Sequence, residues 1–353
     1  MHGNRWRADG KTQMKGLMEP FDLGGLKMKN RLVRSATWEA MAPRDGSVPS
    51  ELADVYGELA AGGAGAIITG FTSVAGNDRY FGGMARLSDD ALIPGHTELV
   101  RRAHEHGTPV IAQLALGAYY GEDGMPVEPD FMSRADIETV VGWFADAARR
   151  AAEAGYDGAQ VHLAHFFFLS RFVSPAHNHR TDAWGGSTGG RTRIALDMLA
   201  AVRNAAPGLH VGAKVNSDDF TGGGLDEAQA MELCLLLDAA GIDHIEVSGN
   251  GTSRAGVRPG RGEGYFASFA AELAERADAA VVCVGGWRSP EVMQAVLDST
   301  GIAALSLSRP LVREPDLPAR WASGDTSPSA CVSCNACYST PGHVCVFNLK
   351  EAR

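Results

Sequence analysis

Eight short runs of apolar and β-branched residues recur along the chain, each set off from the next by a longer amphipathic stretch. The runs are Arg31–Ser35, Ala64–Thr69, Pro109–Leu114, Gly158–His162, His210–Asn216, His244–Ser248, Ala280–Val284 and Ala303–Leu307. The intervening stretches, rich in Ala, Leu and Glu, include Glu51–Ala61, Pro94–His106, Asp136–Ala154, Gly190–Ala205, Leu225–Ala240, Phe266–Arg276 and Pro290–Asp298. Runs of the first kind read as strands and stretches of the second kind as helices. Strand, helix and strand in succession call for parallel pairing through a right-handed crossover. Eight such units in about 290 residues predict a (β/α)8 barrel. A doubly wound open sheet is the alternative. It carries Gly-x-Gly-x-x-Gly after its first strand, and none follows Arg31–Ser35.

No linker or shift in composition interrupts residues 18–320, so the barrel is expected to be one domain. Residues 321–353 form a cysteine-containing tail. Residues 1–17 read as a disordered extension: Met1–Lys15 is polar and basic without the apolar centre of a secretory signal, and Met14 or Met18 offers another start. A net charge of −10 argues against a nucleic-acid or anionic-membrane surface. No apolar run reaches the roughly 18 residues of a membrane-spanning helix. Of six cysteines, Cys234 and Cys283 sit in apolar runs and read as core. Nothing implies export, so a reducing, cytoplasmic setting is expected. A homo-oligomer stays open.

In barrels of this kind the chemistry sits where strands end and the following loops begin. Thr37, Gly70, Gln113, His162, Lys214, Ser248, Gly285 and Ser308 stand at those ends. Gly285 and Gly286 let backbone N–H groups come close to an anion, and Arg309 can pair with a phosphate. The loop Gly117–Arg134 is long enough to form a lid. The densest stretch is Ala159–Gly186. An apolar run ends at His162, and His165 follows three residues later. Two imidazoles placed so can both donate N–H to one carbonyl oxygen that gains negative charge. A single histidine after a strand is more often structural; two at this spacing favour a site.

The order of residues here resembles the old yellow enzyme family of flavin-dependent ene-reductases. The pattern is met at His162, His165, Ser174, Pro175, Asn178, Arg180, Asp182, Gly185 and Gly186. Lys29-Asn30-Arg31, Ala112-Gln113-Leu114, Ala154–Gly158, Val284-Gly285-Gly286 and Ser308–Leu317 extend the likeness over roughly residues 18–320. It departs at two places: Phe166 replaces the usual Gly, and Phe167 stands where the proton-donating Tyr is expected. The resemblance implies bound FMN, reduced by NAD(P)H, and a small enone-like substrate held by His162 and His165. It further implies flavin contacts from Ser35, Ala36, Thr37, Gly70, Gln113, Lys214, Gly285, Gly286, Ser308 and Arg309. Thr37 would donate to the flavin C4 oxygen, Gln113 would face the pyrimidine edge, and Lys214 would stabilise the reduced ring. With Phe167 unable to give a proton, Tyr119 and Tyr120 are candidate acids. A desaturase, a double-bond isomerase or a nitroreductase needs no such acid. A non-catalytic flavin-binding partner is the remaining class.

The tail reads Cys331-x2-Cys334-Asn335-x-Cys337-x7-Cys345. It resembles the cluster segment of larger members of that family, such as 2,4-dienoyl-CoA reductase, which hold a [4Fe–4S] centre with four thiolates. Both later gaps are shorter here. Zinc or a cluster, or a vestigial cap on the barrel, are the two expectations.

Overall fold

The computed structural model of the protein describes residues 16–351, so most of the expected N-terminal extension lies outside the described residues. Eight strands close on themselves: Leu32–Arg34, Ala66–Ile68, Val110–Ala115, Gly158–Leu163, His210–Asn216, His244–Ser248, Ala280–Cys283 and Ala304–Leu307. Every neighbouring pair is parallel, and the eighth strand returns to the first with Leu305 opposite Leu32 and Leu307 opposite Arg34. The expected (β/α)8 barrel is what forms. Its strands are short, buried throughout and rich in Val, Ile and Ala, as two-sided parallel strands must be.

Helices cover the outside. The longest, Arg134–Glu153, starts at a reciprocal cap: the Ser133 hydroxyl accepts from the Asp136 N–H at 3.1 Å, and the Asp136 carboxylate accepts from the Ser133 N–H at 2.8 Å. Its face of Ile137, Val140, Phe144, Ala147 and Ala151 is buried against the barrel wall. A two-stranded hairpin, Phe21–Leu23 with Leu26–Met28, plugs the N-terminal end. Its Leu23, Leu26 and Met28 pack with Val33, Ala66, Ile68, Ile111 and Val282, an apolar layer separate from the helix-facing core. Side chains alternate along a strand, so the next inward positions above this plug are Gln113, Gln160, Lys214, Glu246 and Ser306. The barrel is therefore apolar at its floor and polar towards its mouth. No described helix is long and apolar enough to cross a membrane.

Candidate functional site

At the C-terminal mouth of the barrel lies a cavity of about 300 Å³. Ser35, Ala36, Thr37, His165, Phe167, Lys214, Gly286, Ser308 and Arg309 line it, together with Trp38, Tyr265, Arg288 and Tyr338. The first strand delivers Ser35 to Thr37 because its end is tied to the eighth: the Ser35 N–H donates to Leu307 O at 2.9 Å, and Thr37 Oγ1 lies 2.8 Å from Ser308 Oγ. Strands four and five place His162 opposite Lys214 in register.

The two histidine rings sit 5.0 Å apart. His162 is 3% exposed, and its Nδ1 has no hydrogen-bond partner. An orphaned buried ring nitrogen is costly unless a ligand meets it. His165 Nε2 lies 2.8 Å from Ser248 Oγ. Burial, with Lys214 nearby, pushes His165 down to about 3. Burial and the charges of His165 and Lys214 hold His162 well below its ordinary value. Both rings are neutral in ordinary buffers. The turn that aims them is unusual, since His165 and Phe166 have φ of 66° and 61°. That left-handed backbone explains the family's glycine at the second position; here Phe166 adopts it at a cost of roughly 1–2 kcal/mol.

Phe167 packs into an aromatic box. Its ring lies 5.0 Å from Phe71, 5.2 Å from His162, 5.4 Å from Tyr80 and 5.8 Å from Phe81. Tyr80, which the sequence did not single out, is the nearest phenol among these rings.

The far end of the cavity is cationic. Arg309 Nη1 donates to Arg254 O at 3.0 Å and to the Asn335 amide oxygen. Arg288, 1% exposed, donates from Nε to Cys331 O at 3.0 Å and from Nη2 to Ser333 Oγ at 2.6 Å. Gly286 between them has φ of 78°, and a Cβ there would lie 2.6 Å from Tyr265 Cε1. Gly286→Ala is therefore expected to cost about 1–3 kcal/mol of stability, with FMN affinity falling too; urea denaturation and flavin titration measure both. An anion cradle at Arg309 and Gly286 and the buried Lys214 at the cavity wall fit FMN. The phosphate would sit against Arg309 and Gly286, and the ring system against Lys214 and the histidines.

Other expected residues are placed differently. The Gly70 N–H donates to the Tyr56 hydroxyl at 2.8 Å and is turned away from the cavity; a Cβ there would meet Glu39 Oε2 at 2.3 Å. Burial, partly offset by Arg34, pushes that Glu39 carboxyl up to about 7. Gln113, His162, Ser248 and Gly285 are not among the residues lining the cavity, and Gln113 Nε2 donates to Gln160 Oε1 at 2.8 Å. Tyr119 and Tyr120 do not line the cavity. The Tyr119 hydroxyl donates to Asp136 Oδ1 at 2.5 Å, and its ring packs on Trp143. The Tyr120 ring lies under the Arg79 guanidinium, 4.8 Å away.

The tail does cap the barrel. Asn335 Nδ2 donates to Ser253 O at 2.8 Å, Tyr338 reaches the cavity wall, and the His343 ring stands 4.7 Å from Trp38. Cys331, Cys334, Cys337 and Cys345 border one void of about 20 Å³. That is room for about one water molecule. Among the described residues no three His, Cys, Asp or Glu side chains form a metal-ligand set, and the expected zinc or cluster finds no support.

Comparison with known proteins agrees with this geometry. The chain is 27% identical over 342 residues to a metal reductase of Desulforamulus reducens, covering 91% of this chain but 51% of that protein. It thus spans about half the length of that relative. It is 30% identical over 317 residues to an NADPH dehydrogenase of Geobacillus sp., covering 86% of this chain and 92% of that protein. Among solved structures, morphinone reductase superposes with a TM-score of 0.78 at 25% identity, over 90% of this chain and 92% of that one. The family described as NADH:flavin oxidoreductase / NADH oxidase matches residues 16–327. With that match spanning the whole barrel and its mouth, the chain belongs to the NADH:flavin oxidoreductase / NADH oxidase family, the old yellow enzyme family that its sequence resembles.

Proposed function

We propose that the protein is an FMN-dependent NAD(P)H oxidoreductase acting on a small α,β-unsaturated carbonyl compound. Bound FMN would take hydride from NAD(P)H and return it to the β-carbon of the substrate. The carrying observation is the buried, neutral histidine pair with rings 5.0 Å apart, His165 lining the cavity beside Lys214 and His162 packed directly behind it. Neutral imidazole N–H groups polarise a carbonyl and stabilise the enolate oxygen without first losing a proton. Lys214 supplies the fixed cation beside the ring system. Arg309, Arg288 and Gly286 receive the phosphate. The likeness to an NADPH dehydrogenase supports a reduced nicotinamide as the electron source.

Phe167 favours a second reading on the same scaffold. It has no proton to give at the position of the family's Tyr, and nitro reduction leaves no α-carbon to protonate; desaturation or double-bond isomerisation on this scaffold would need another group to take the α-proton. Turnover of an enone against a nitroarene separates these readings.

The first test is the cofactor. Purified protein should be yellow and should release non-covalent FMN on heating. Arg309→Ala should weaken FMN binding about 10- to 100-fold, the loss of one charge-assisted contact, with the fold unchanged by circular dichroism. Colourless protein that cannot be reconstituted with FMN removes the proposal. Bound FMN that neither NADH nor NADPH reduces would instead mark a non-catalytic flavin-binding partner.

A further inference from the structure

Beneath the cavity floor, the barrel interior holds a polar chain that the flavin reading does not use. Glu246 is its centre and is fully buried. Its Oε1 accepts from Ser35 Oγ at 2.6 Å and from Ser306 Oγ at 2.7 Å, and lies 3.0 Å from Lys214 Nζ. Its Oε2 accepts from Gln160 Nε2 at 3.0 Å. Lys214 also donates to Ser35 Oγ at 2.7 Å. Burial alone would raise this carboxyl, but the Lys214 charge and the serine donors outweigh it and hold it at about 2.

The chain is anchored from below. The Gln160 amide must turn its NH2 towards the Glu246 carboxylate, since its oxygen would be repelled there. The same NH2 then faces His244 Nε2 at 3.2 Å, which must be the unprotonated nitrogen. The His244 proton is thereby fixed on Nδ1, which donates to His210 Nε2 at 2.7 Å. Gly212 leaves the room for that ring, because a Cβ there would lie 1.9 Å from His244 Cε1. The Gln160 NH2 thus donates to Glu246 on one side and to His244 on the other, and Glu246 is held against Lys214.

We propose that Glu246 is a positioning residue that sets the charge presented to bound FMN: it aims the Lys214 ammonium at the cavity while cancelling its net charge. This rests on the FMN reading above. The site thus offers a directed dipole rather than a bare cation, which limits how strongly it draws negative charge onto the ring system. The titratable neighbours do not confuse the comparison. Burial holds His165 and His244 at about 3, His162 is held well below its ordinary value, and burial pushes the Cys283 thiol up.

Sulfite is the probe. Its sulfur bonds to flavin N5 and the electron pair leaves a negative charge on the ring system, so its affinity reads the local charge without turnover. Glu246→Gln should tighten sulfite binding roughly 10- to 100-fold at pH 6, the scale of one uncompensated charge a few Å away at moderate screening. The gain should shrink towards pH 9, as a buried lysine without its partner loses its proton. Wild type should show no such pH dependence beyond that of sulfite itself. In a Lys214→Met background the direction is the same for another reason: where the Ser35, Ser306 and Gln160 donors still keep the carboxyl ionised it opposes the adduct, and adding Glu246→Gln should relieve it tenfold or more. That second pair tests the proposal even if Glu246→Gln alone does not hold FMN. Equal sulfite affinities and equal pH profiles in FMN-loaded wild type and Glu246→Gln overturn the role of Glu246 and leave the FMN reading standing. Wild type that takes up no FMN overturns both.

Discussion

Replacing Phe167 by Tyr is expected to speed reoxidation of the NAD(P)H-reduced enzyme by cyclohexenone about 10²- to 10⁴-fold, the usual worth of a placed general acid. Hydride addition to an enone leaves carbanion character on the α-carbon, and quenching it needs a proton nearby. Phe167 lines the cavity alongside His165, with its ring 5.2 Å from that of His162. Tyr fills nearly the same volume and adds the missing proton at the ring's tip. The box formed by Phe71, Tyr80 and Phe81 already fixes the ring plane, so the new hydroxyl inherits a defined direction. Reduction of the flavin by NAD(P)H should be unchanged, because that half-reaction needs no α-proton. Stopped-flow reoxidation, wild type against Phe167→Tyr, decides the matter. Fast wild-type reoxidation with no gain in the variant would mean that an acid is already in place. Tyr80 is then the residue to remove, because Tyr119 is committed to Asp136 outside the cavity and Tyr120 lies under Arg79.

The barrel was legible because its signal is local. His210–Asn216 and His244–Ser248 begin and end where their apolar runs do, and the other strands differ by a residue or two at their ends. Buried parallel strands are short apolar runs, and the helices between them carry a 3.6-residue period. The short helix Phe168–Val173 was not foreseen. Six residues that begin at the third of three consecutive phenylalanines have too little period to separate helix from core strand. The floor hairpin was missed as well, although Gly24-Gly25 marks its turn. Within the site the strand ends divide: Ser35, Thr37, Lys214 and Ser308 reach the cavity, whereas Gly70, Gln113, His162, Ser248 and Gly285 do not line it. Loop residues divide as well, with His165, Phe167, Gly286 and Arg309 at the cavity and both candidate tyrosines away from it. Tyr119 and Tyr120 were candidates because their loop is long, and only the Ser133–Asp136 cap shows why Tyr119 turns outward. Arg288, Asn335 and Tyr338 join the site through contacts between distant parts of the chain, which no local pattern encodes. Gln160, Glu246 and His244 were hidden for another reason. Each is a polar residue inside an otherwise apolar run, and only barrel closure reveals that all three face one another.

His162→Ala and His165→Ala should each slow enone reoxidation about 10²- to 10³-fold, the loss expected for one donor in an oxyanion site. The same changes should weaken binding of a para-substituted phenol, whose oxygen imitates the enolate, and should fade its long-wavelength charge-transfer band with FMN. The pH dependence distinguishes neutral donors from imidazolium. His165 is held at about 3 by burial and by Lys214, and His162 is also held low. A histidine with a lowered pKa is neutral throughout the range above it, so neither ring should titrate between pH 5 and 8. Phenol affinity in that window should follow the ionisation of the phenol alone, and removing either histidine should not abolish a step near pH 6.5, because none should exist. Such a step in the wild type that is lost in His165→Ala would show a charged ring in the free protein. Desolvation would then not be what sets the charge of these rings. Unchanged phenol binding in both variants would remove the paired-donor role altogether. His162 would then be a buried histidine whose unpartnered nitrogen faces no ligand, at a cost to stability of roughly 1–3 kcal/mol. In that case His162→Phe should be at least as stable as wild type to urea. If the nitrogen serves the substrate oxygen, the same substitution should instead abolish phenol binding while leaving FMN in place.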